Sequence, residues 1–431
     1  MVEDLYKKDV LLTGIDPGNI TTKVSYLDES GKTENFTIPT VIAPAPAHAV
    51  AYNQQVDKND KTNIEDFIHI RVDSAAMDKD ENNRSWYVGE NAKKSPDKVQ
   101  PSISQNGDAE DKFSDSNRKV FVLPVLAGIA VSALKVSKRK VIAPLSTGIP
   151  SKGYLKHEQT LKQRFVGEHT VTFIDGPYAG ETVLIIIKDE EAQIHAESVT
   201  TAIALMYDIE NGELVETELK NKLDGTTYVI SDLGAGTSDY AVFNETGLDK
   251  VMTRRFAEDN QGEMSRIGTN SYIDRIIEAV YNDPAFEQQR SVIEKTKDDT
   301  RKPAELTSRE IFMKKLIKPV IEESIRKGTA PKFTYSWARS KNVDITQHVL
   351  KEMKNYAELQ SSNIELAWTM ANTDHVVAVG GGVLFGHYGG LNGLEEKEVI
   401  IPDLLESQYF TSKAYLIVSY LMRLQVEQLQ S

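Results

Sequence analysis

Two short turns in this 431-residue chain combine residue types suited to holding phosphate. In Val10–Gly31 an apolar run ends in Asp16-Pro17-Gly18-Asn19, followed by Thr21, Thr22 and Lys23. In Thr226–Gly247 a second apolar run ends in Asp232-Leu233-Gly234-Ala235-Gly236, followed by Thr237, Ser238 and Asp239. The two segments align without a gap. Asp16 meets Asp232, Gly18 meets Gly234, Thr21 meets Thr237, and Gly31 meets Gly247. Glycines let the backbone approach a ligand and present N–H groups to it. Thr21, Thr22 and Thr237 add hydroxyl donors, and Lys23 adds a cation. Asp16 and Asp232 would repel phosphate directly, so their fitting role is to hold magnesium through its water shell. A single Asp-x-Gly reads as an ordinary hairpin turn. Two copies in matching context favour a pair of loops that clamp the phosphates of a nucleotide.

The elements that must position these residues follow from the pattern. Each copy reads as strand, tight turn, strand and second turn: a β-hairpin with its chemistry at the tip. A third motif lies in Asp374–Gly386, where a short apolar strand runs into Gly380-Gly381-Gly382 and a helix is expected to follow. Backbone exposed at such a turn packs against a flat ring or a ribose.

Composition removes several alternatives. The net charge is −14, which disfavours direct binding to a nucleic-acid backbone. There is no cysteine, so disulfides, cysteine-ligated zinc and thiol catalysis are excluded, as suits a reducing cytoplasm. The eight histidines form no His-Glu-x-x-His pair. The charged N-terminus, Met1–Lys8, lacks a signal-peptide core. The most apolar stretch, Val120–Leu134, is shorter than the ~20 residues a membrane span needs and reads as a buried helix. A cytoplasmic protein with no membrane partner is expected.

Two Asp-x-Gly hairpins followed by a strand and Gly-Gly-Gly, in that order, resemble the actin-like ATPase superfamily. Asp16-x-Gly18 with Lys23 is similar to its first phosphate loop. Asp232-Leu-Gly234-Ala235-Gly236-Thr237 is similar to its second, and to that of heat-shock chaperone ATPase domains. Gly380-Gly381-Gly382 resembles the adenosine loop. Trp86-Tyr-Val-Gly89-Glu90-Asn-Ala92 is similar to a Tyr-Val-Gly-x-x-Ala segment of actins and bacterial actin homologues. Ser146-Thr-Gly148-Ile-Pro150 and Ser407-Gln-Tyr-Phe410 most resemble ParM-type plasmid-segregation proteins. The chain departs from actin at Asn19, where actin has serine, and at Pro17, which stiffens the turn. Roughly 60 residues between Asn282 and Gln347 have no clear counterpart. Lys314 and Lys315 there are candidate adenine contacts or, equally, a solvated face of a helix over Ser308–Lys327.

The resemblance implies an α/β, actin-like fold: a duplicated, ribonuclease H-like pair of domains with a nucleotide cleft between them and an inserted subdomain in each. Residues 1–196 with 403–431 are expected to form the first domain, with an insertion of surface material over about 43–112. Residues 197–402 are expected to form the second, with an insertion over about 260–346. Each domain is expected to hold a parallel-rich sheet flanked by helices. Helical periodicity marks Ser271–Tyr281, Ser308–Lys327, Gln347–Asn372 and Phe410–Leu429. The last of these, with Tyr415, Val418, Leu421 and Met422 on one stripe, is expected to pack on the first domain.

The expected ligand is ATP with Mg2+, and the residues leave GTP open. Hydrolysis needs a held γ-phosphate, charge neutralisation and an aligned water. Glu197, at the start of a helix, corresponds to a glutamine in actin and a glutamate in ParM-type proteins, so the resemblance assigns it the water. By itself it reads as a helix N-terminal glutamate favoured by the dipole. Glu190 and Glu191 lie in a turn, and His195 reads as structural. The function implied is a head-to-tail filament of this chain, which separates plasmid copies through a DNA-bound adaptor protein and which ATP hydrolysis weakens. A small-molecule kinase of the same superfamily is the alternative, but no added aspartate motif near the first hairpin supplies its base. Another bacterial actin-like cytoskeletal filament is a further alternative. A chaperone-type switch would need a further domain, and the chain ends soon after Gly382. A wall-growth filament would need a membrane anchor.

Overall fold

The computed structural model describes residues 9–48, 64–101, 118–149, 154–258, 268–296, 301–391, 393–394 and 398–430. The chain divides into two units, Met1–Asp224 with Tyr409–Ser431, and Gly225–Gln408.

In the first unit the apolar run before Asp16 becomes strand β1 (Thr13–Pro17), and the β-branched run after it becomes β2 (Thr21–Leu27). They pair antiparallel with Asp16 opposite Lys23. Strand β3 (Thr33–Pro39) continues the meander, with Pro39 level with Thr21. Strands β4 (Leu145–Ile149) and β5 (Ala192–Ala196) extend the other edge in parallel, giving the order β5-β4-β1-β2-β3. The run Val120–Leu134 is buried throughout in the helix Arg118–Lys135. That helix touches strands of this sheet and of a second, six-stranded sheet, so it is apolar on every face.

The six-stranded sheet differs from expectation. Part of the segment expected to be surface insertion supplies three of its strands, Ile42–Pro44, His69–Ser74 and Ser85–Val88. Ile70 and Val72 are buried while Arg71 and Asp73 are exposed, the period-two alternation of a half-buried strand. Residues 49–63 and 102–117, which include the expected turn-rich stretch Gln105–Asp111, lie outside the described residues.

The helix Glu197–Met206, the hairpin Tyr207–Glu216 and the helix Glu218–Leu223 belong to the first unit. Asn211 and Gly212, both with positive φ, make the tight turn of that hairpin. The Gly212 N–H donates to the Gly31 carbonyl at 2.9 Å. Buried Thr201 meets Thr411 of the C-terminal helix Phe410–Gln430, Oγ1 to Oγ1 at 3.1 Å. These contacts carry the division from 196 to 224. The C-terminal helix also lies along β1 and β2, with Ser419 Oγ donating to the Thr13 carbonyl at 2.7 Å.

The second unit repeats the meander. Strand β6 (Tyr228–Leu233) pairs antiparallel with β7 (Ser238–Asn244), and Asp232 stands opposite Asp239. Strand β8 (Gly247–Leu248) and the parallel strand β9 (His375–Val379) complete the order β8-β7-β6-β9. Both sheets are thus mixed rather than predominantly parallel. Helices Asn270–Tyr281 and Thr346–Ala371 fall within a residue of their expected bounds. The expected helix Ser308–Lys327 is α-helical over Arg309–Phe312 and Lys318–Lys327, with a π turn over Met313–Ile317 between them. Pro319 lacks an N–H, and its ring crowds the carbonyl of Lys315 in a regular α-helix; the wider turn relieves this. The small hairpin Thr334–Trp337 with Ser340–Asp344 has no counterpart in the expectations.

Candidate functional site

The two hairpin tips have the same closure. A Cβ on Gly18 would stand 2.7 Å from the Thr21 carbonyl oxygen, and a Cβ on Gly234 would stand 2.8 Å from that of Thr237. No side chain fits at either position, because the strand that leaves the turn crosses directly over the glycine. Gly18, Asn19 and Thr21 are half-buried at the first tip, as are Gly234, Ala235, Gly236 and Thr237 at the second.

The charged groups differ between the tips. Asp16 is 5% exposed, and its Oδ2 accepts from Lys23 Nζ at 2.7 Å. In the second hairpin the position of Lys23 is taken by Asp239, whose Oδ2 accepts from Thr237 Oγ1 at 2.9 Å. Thr22 does not share the face of Thr21 and Lys23. Strand alternation turns it inward, where it is fully buried and its hydroxyl meets Thr40 Oγ1 at 3.1 Å. Its expected place among the phosphate donors is therefore not the one it occupies.

The glycine turn follows β9. Gly380 has φ +95 and ψ 166 and caps the helix Gly381–Gly386. A Cβ on Gly380 would stand 2.5 Å from Asp232 Oδ1 and 2.5 Å from the Leu233 carbonyl oxygen. A Cβ on Gly382 would stand 2.1 Å from Tyr356 Oη and 2.8 Å from the same carbonyl. The turn is therefore packed against the root of the second hairpin. Only Gly381 has room, its nearest neighbour being Gln408 Cβ at 3.9 Å. Ser407 clasps the turn: its Oγ donates to the Gly380 carbonyl at 2.6 Å, and its carbonyl accepts from the Gly380 N–H at 3.2 Å. The residue pattern around Ser407 was visible in the sequence, but the clasp was not. Tyr356 is fully buried between the rings of Tyr272 and Phe385, and burial raises its hydroxyl well above the usual tyrosine range.

Glu197 opens the helix Glu197–Met206, as expected, and the strand directly before it is β5; its side chain lies outside the described residues. His195, two residues before it, stacks on Tyr415 with ring centres 5.8 Å apart, and burial pushes its imidazole down to about 4. Glu191 is fully buried and accepts from Arg423 Nη1 at 2.8 Å. Lys315 Nζ lies 2.8 Å from Glu305 Oε1, on the outer side of the π turn. Among the described residues no group of three or more acidic or histidine side chains could hold a metal directly. The donor set at the tips, amides, hydroxyls and one ammonium, fits a polyphosphate. Asp16 and Asp232 fit a metal held through water rather than by a ligand cage.

A family model for actin like proteins, N terminal domain, matches residues 14–199. No curated protein matches the chain. Among solved structures, Bacillus thuringiensis ParM with ATP is 35% identical, with a TM-score of 0.76, covering 97% of this chain and 100% of its own. The same protein with ADP is 34% identical, with a TM-score of 0.74, over 96% of this chain and 100% of its own. The chain belongs to the ParM family of actin-like proteins. Its α/β, duplicated architecture is the actin-like fold, which it also shares with the actin-like protein Alp7A at 14% identity and a TM-score of 0.62, over 97% of this chain and 98% of the other.

Proposed function

We propose that the chain binds and hydrolyses ATP with Mg2+ and assembles with copies of itself into a filament whose lifetime hydrolysis limits. The observation that carries this reading is the repeated tip closure at Gly18 and Gly234, in a chain one-third identical to a ParM seen with ATP and with ADP. In this reading Gly18, Asn19, Thr21 and Lys23 of the first hairpin and Gly234–Thr237 of the second face the phosphates. Asp16 and Asp232 hold the waters of Mg2+, which supplies charge neutralisation. Gly380–Gly382 pass close to the adenosine, and Glu197 orients the attacking water. The filament moves plasmid copies in the cytoplasm through a DNA-bound adaptor, since a chain of net charge −14 is poorly suited to holding DNA itself.

Light scattering on adding Mg-ATP tests the proposal. A rise that decays as phosphate is released, and that persists in Glu197→Ala, is the expected result. No rise with Mg-ATP, together with ATP turnover stimulated by small hydroxyl compounds, would overturn the filament in favour of a kinase.

A further inference from the structure

The repeated turns share a second feature, on the side of each loop away from its tip. In a trans peptide the C=O and the following N–H point in opposite directions, so fixing one fixes the other. The Gly18 carbonyl accepts from Thr40 Oγ1 at 2.7 Å. The equivalent Gly234 carbonyl accepts from the Thr269 N–H at 3.4 Å, and the next one, of Ala235, accepts from the Asn270 N–H at 2.9 Å. Thr40 is placed for this because β3 ends level with Thr21, and its own N–H is held by the Ile20 carbonyl at 2.8 Å. Gly268 is placed just as tightly. A Cβ there would stand 2.2 Å from the Ala235 oxygen and 2.6 Å from the Gly236 carbonyl carbon.

We infer that Thr40 in the first unit, and the Gly268–Asn270 turn in the second, are positioning residues that pin loop carbonyls so that the N–H groups of Asn19, Ala235 and Gly236 face the phosphates. A peptide free to flip would present a carbonyl oxygen to a polyanion, and each binding event would have to reorder it. Pinned peptides leave a fixed nest of donors. Neither pin is near its loop in sequence: Thr40 follows a separate strand, and Gly268 precedes a separate helix.

This inference rests on the Mg-ATP reading, and the test separates the two. Thr40→Val keeps the shape of a residue that is 1% exposed and removes only the hydroxyl. Thr40→Ser restores it. ADP and adenosine affinities are measured by calorimetry for the wild type, Thr40→Val, Thr40→Ser and Gly268→Ala. The expected result for Thr40→Val is about tenfold weaker ADP binding or worse, with adenosine binding unchanged and ADP binding recovered in Thr40→Ser. Gly268→Ala is expected to show the same split. If Gly268→Ala does not fold, hydrogen exchange on the wild type replaces it: the Ala235 and Gly236 amides should exchange freely without nucleotide and become protected with ADP. Equal ADP affinity in Thr40→Val, equal losses for ADP and adenosine, or amides already protected without nucleotide would overturn the inference. A wild type that binds neither ligand would overturn the Mg-ATP reading instead.

Discussion

Gly381 and Gly382 are adjacent in sequence but differ in surroundings, and substitution separates packing from binding. Gly382→Ala forces a methyl group against Tyr356 Oη and the Leu233 carbonyl, so it should cost about 1–3 kcal/mol of stability, read from the urea midpoint. Gly381→Ala meets only Gln408 at ordinary contact distance, so the melting temperature should hold. If the turn passes close to the adenosine as proposed, ATP affinity should fall, because the added methyl would stand in that space. A Gly381→Ala protein with unchanged ATP affinity would remove this turn from the site. His195 gives a pH prediction. Its folded value of about 4 lies below the usual 6.5, so between these limits the unfolded chain binds the extra proton. Stability from this group is complete above pH 6.5 and lost progressively as pH falls toward 4. His195→Gln should therefore show a shallower fall in melting temperature over that window than the wild type. Parallel curves would mean that His195 titrates normally.

Among the elements, the C-terminal helix carries a buried ion pair. Arg423 reaches the fully buried Glu191, and Lys188 Nζ is 3.7 Å from its other oxygen. Arg423→Met should cost about 3–5 kcal/mol because it strands a buried carboxylate, and adding Glu191→Met should recover much of that. Chemical denaturation of the single and double variants checks both. This pairing also shows what the sequence could not reveal. Hairpin tips were legible because Asp, Gly and Thr at fixed spacing act locally, and the long helices were legible from their 3.6-residue period. Glu191 was read as a turn residue because its partner is far away in the chain. The same holds for Thr40, Ser407 and Tyr356, whose roles come from neighbours that only the fold brings together. The strand His69–Ser74 was passed over for another reason: its alternation was there, but it was embedded in a charged, turn-rich stretch.

For the whole molecule, the family and the two-fold repetition could be read before any coordinates, whereas the surfaces that join copies could not, since such patches carry no spacing rule. The charge of −14 still makes assembly testable. Copies repel one another, so added salt that shortens the screening length should lower the concentration at which scattering with Mg-ATP first rises. An opposite trend would show that ion pairs between copies outweigh the repulsion. No described helix is long and apolar enough to cross a membrane. The Lys23–Asp16 pair has a consequence for the protein at rest. It gives the first loop an internal counterion, so the acid there is neutralised before any metal arrives. A chelator should then leave the melting temperature of the nucleotide-free protein where it was. In the proposed reading, Mg2+ held at Asp16 would compete for a carboxylate already in use, and Lys23, once released from it, would be available to the phosphates of the nucleotide.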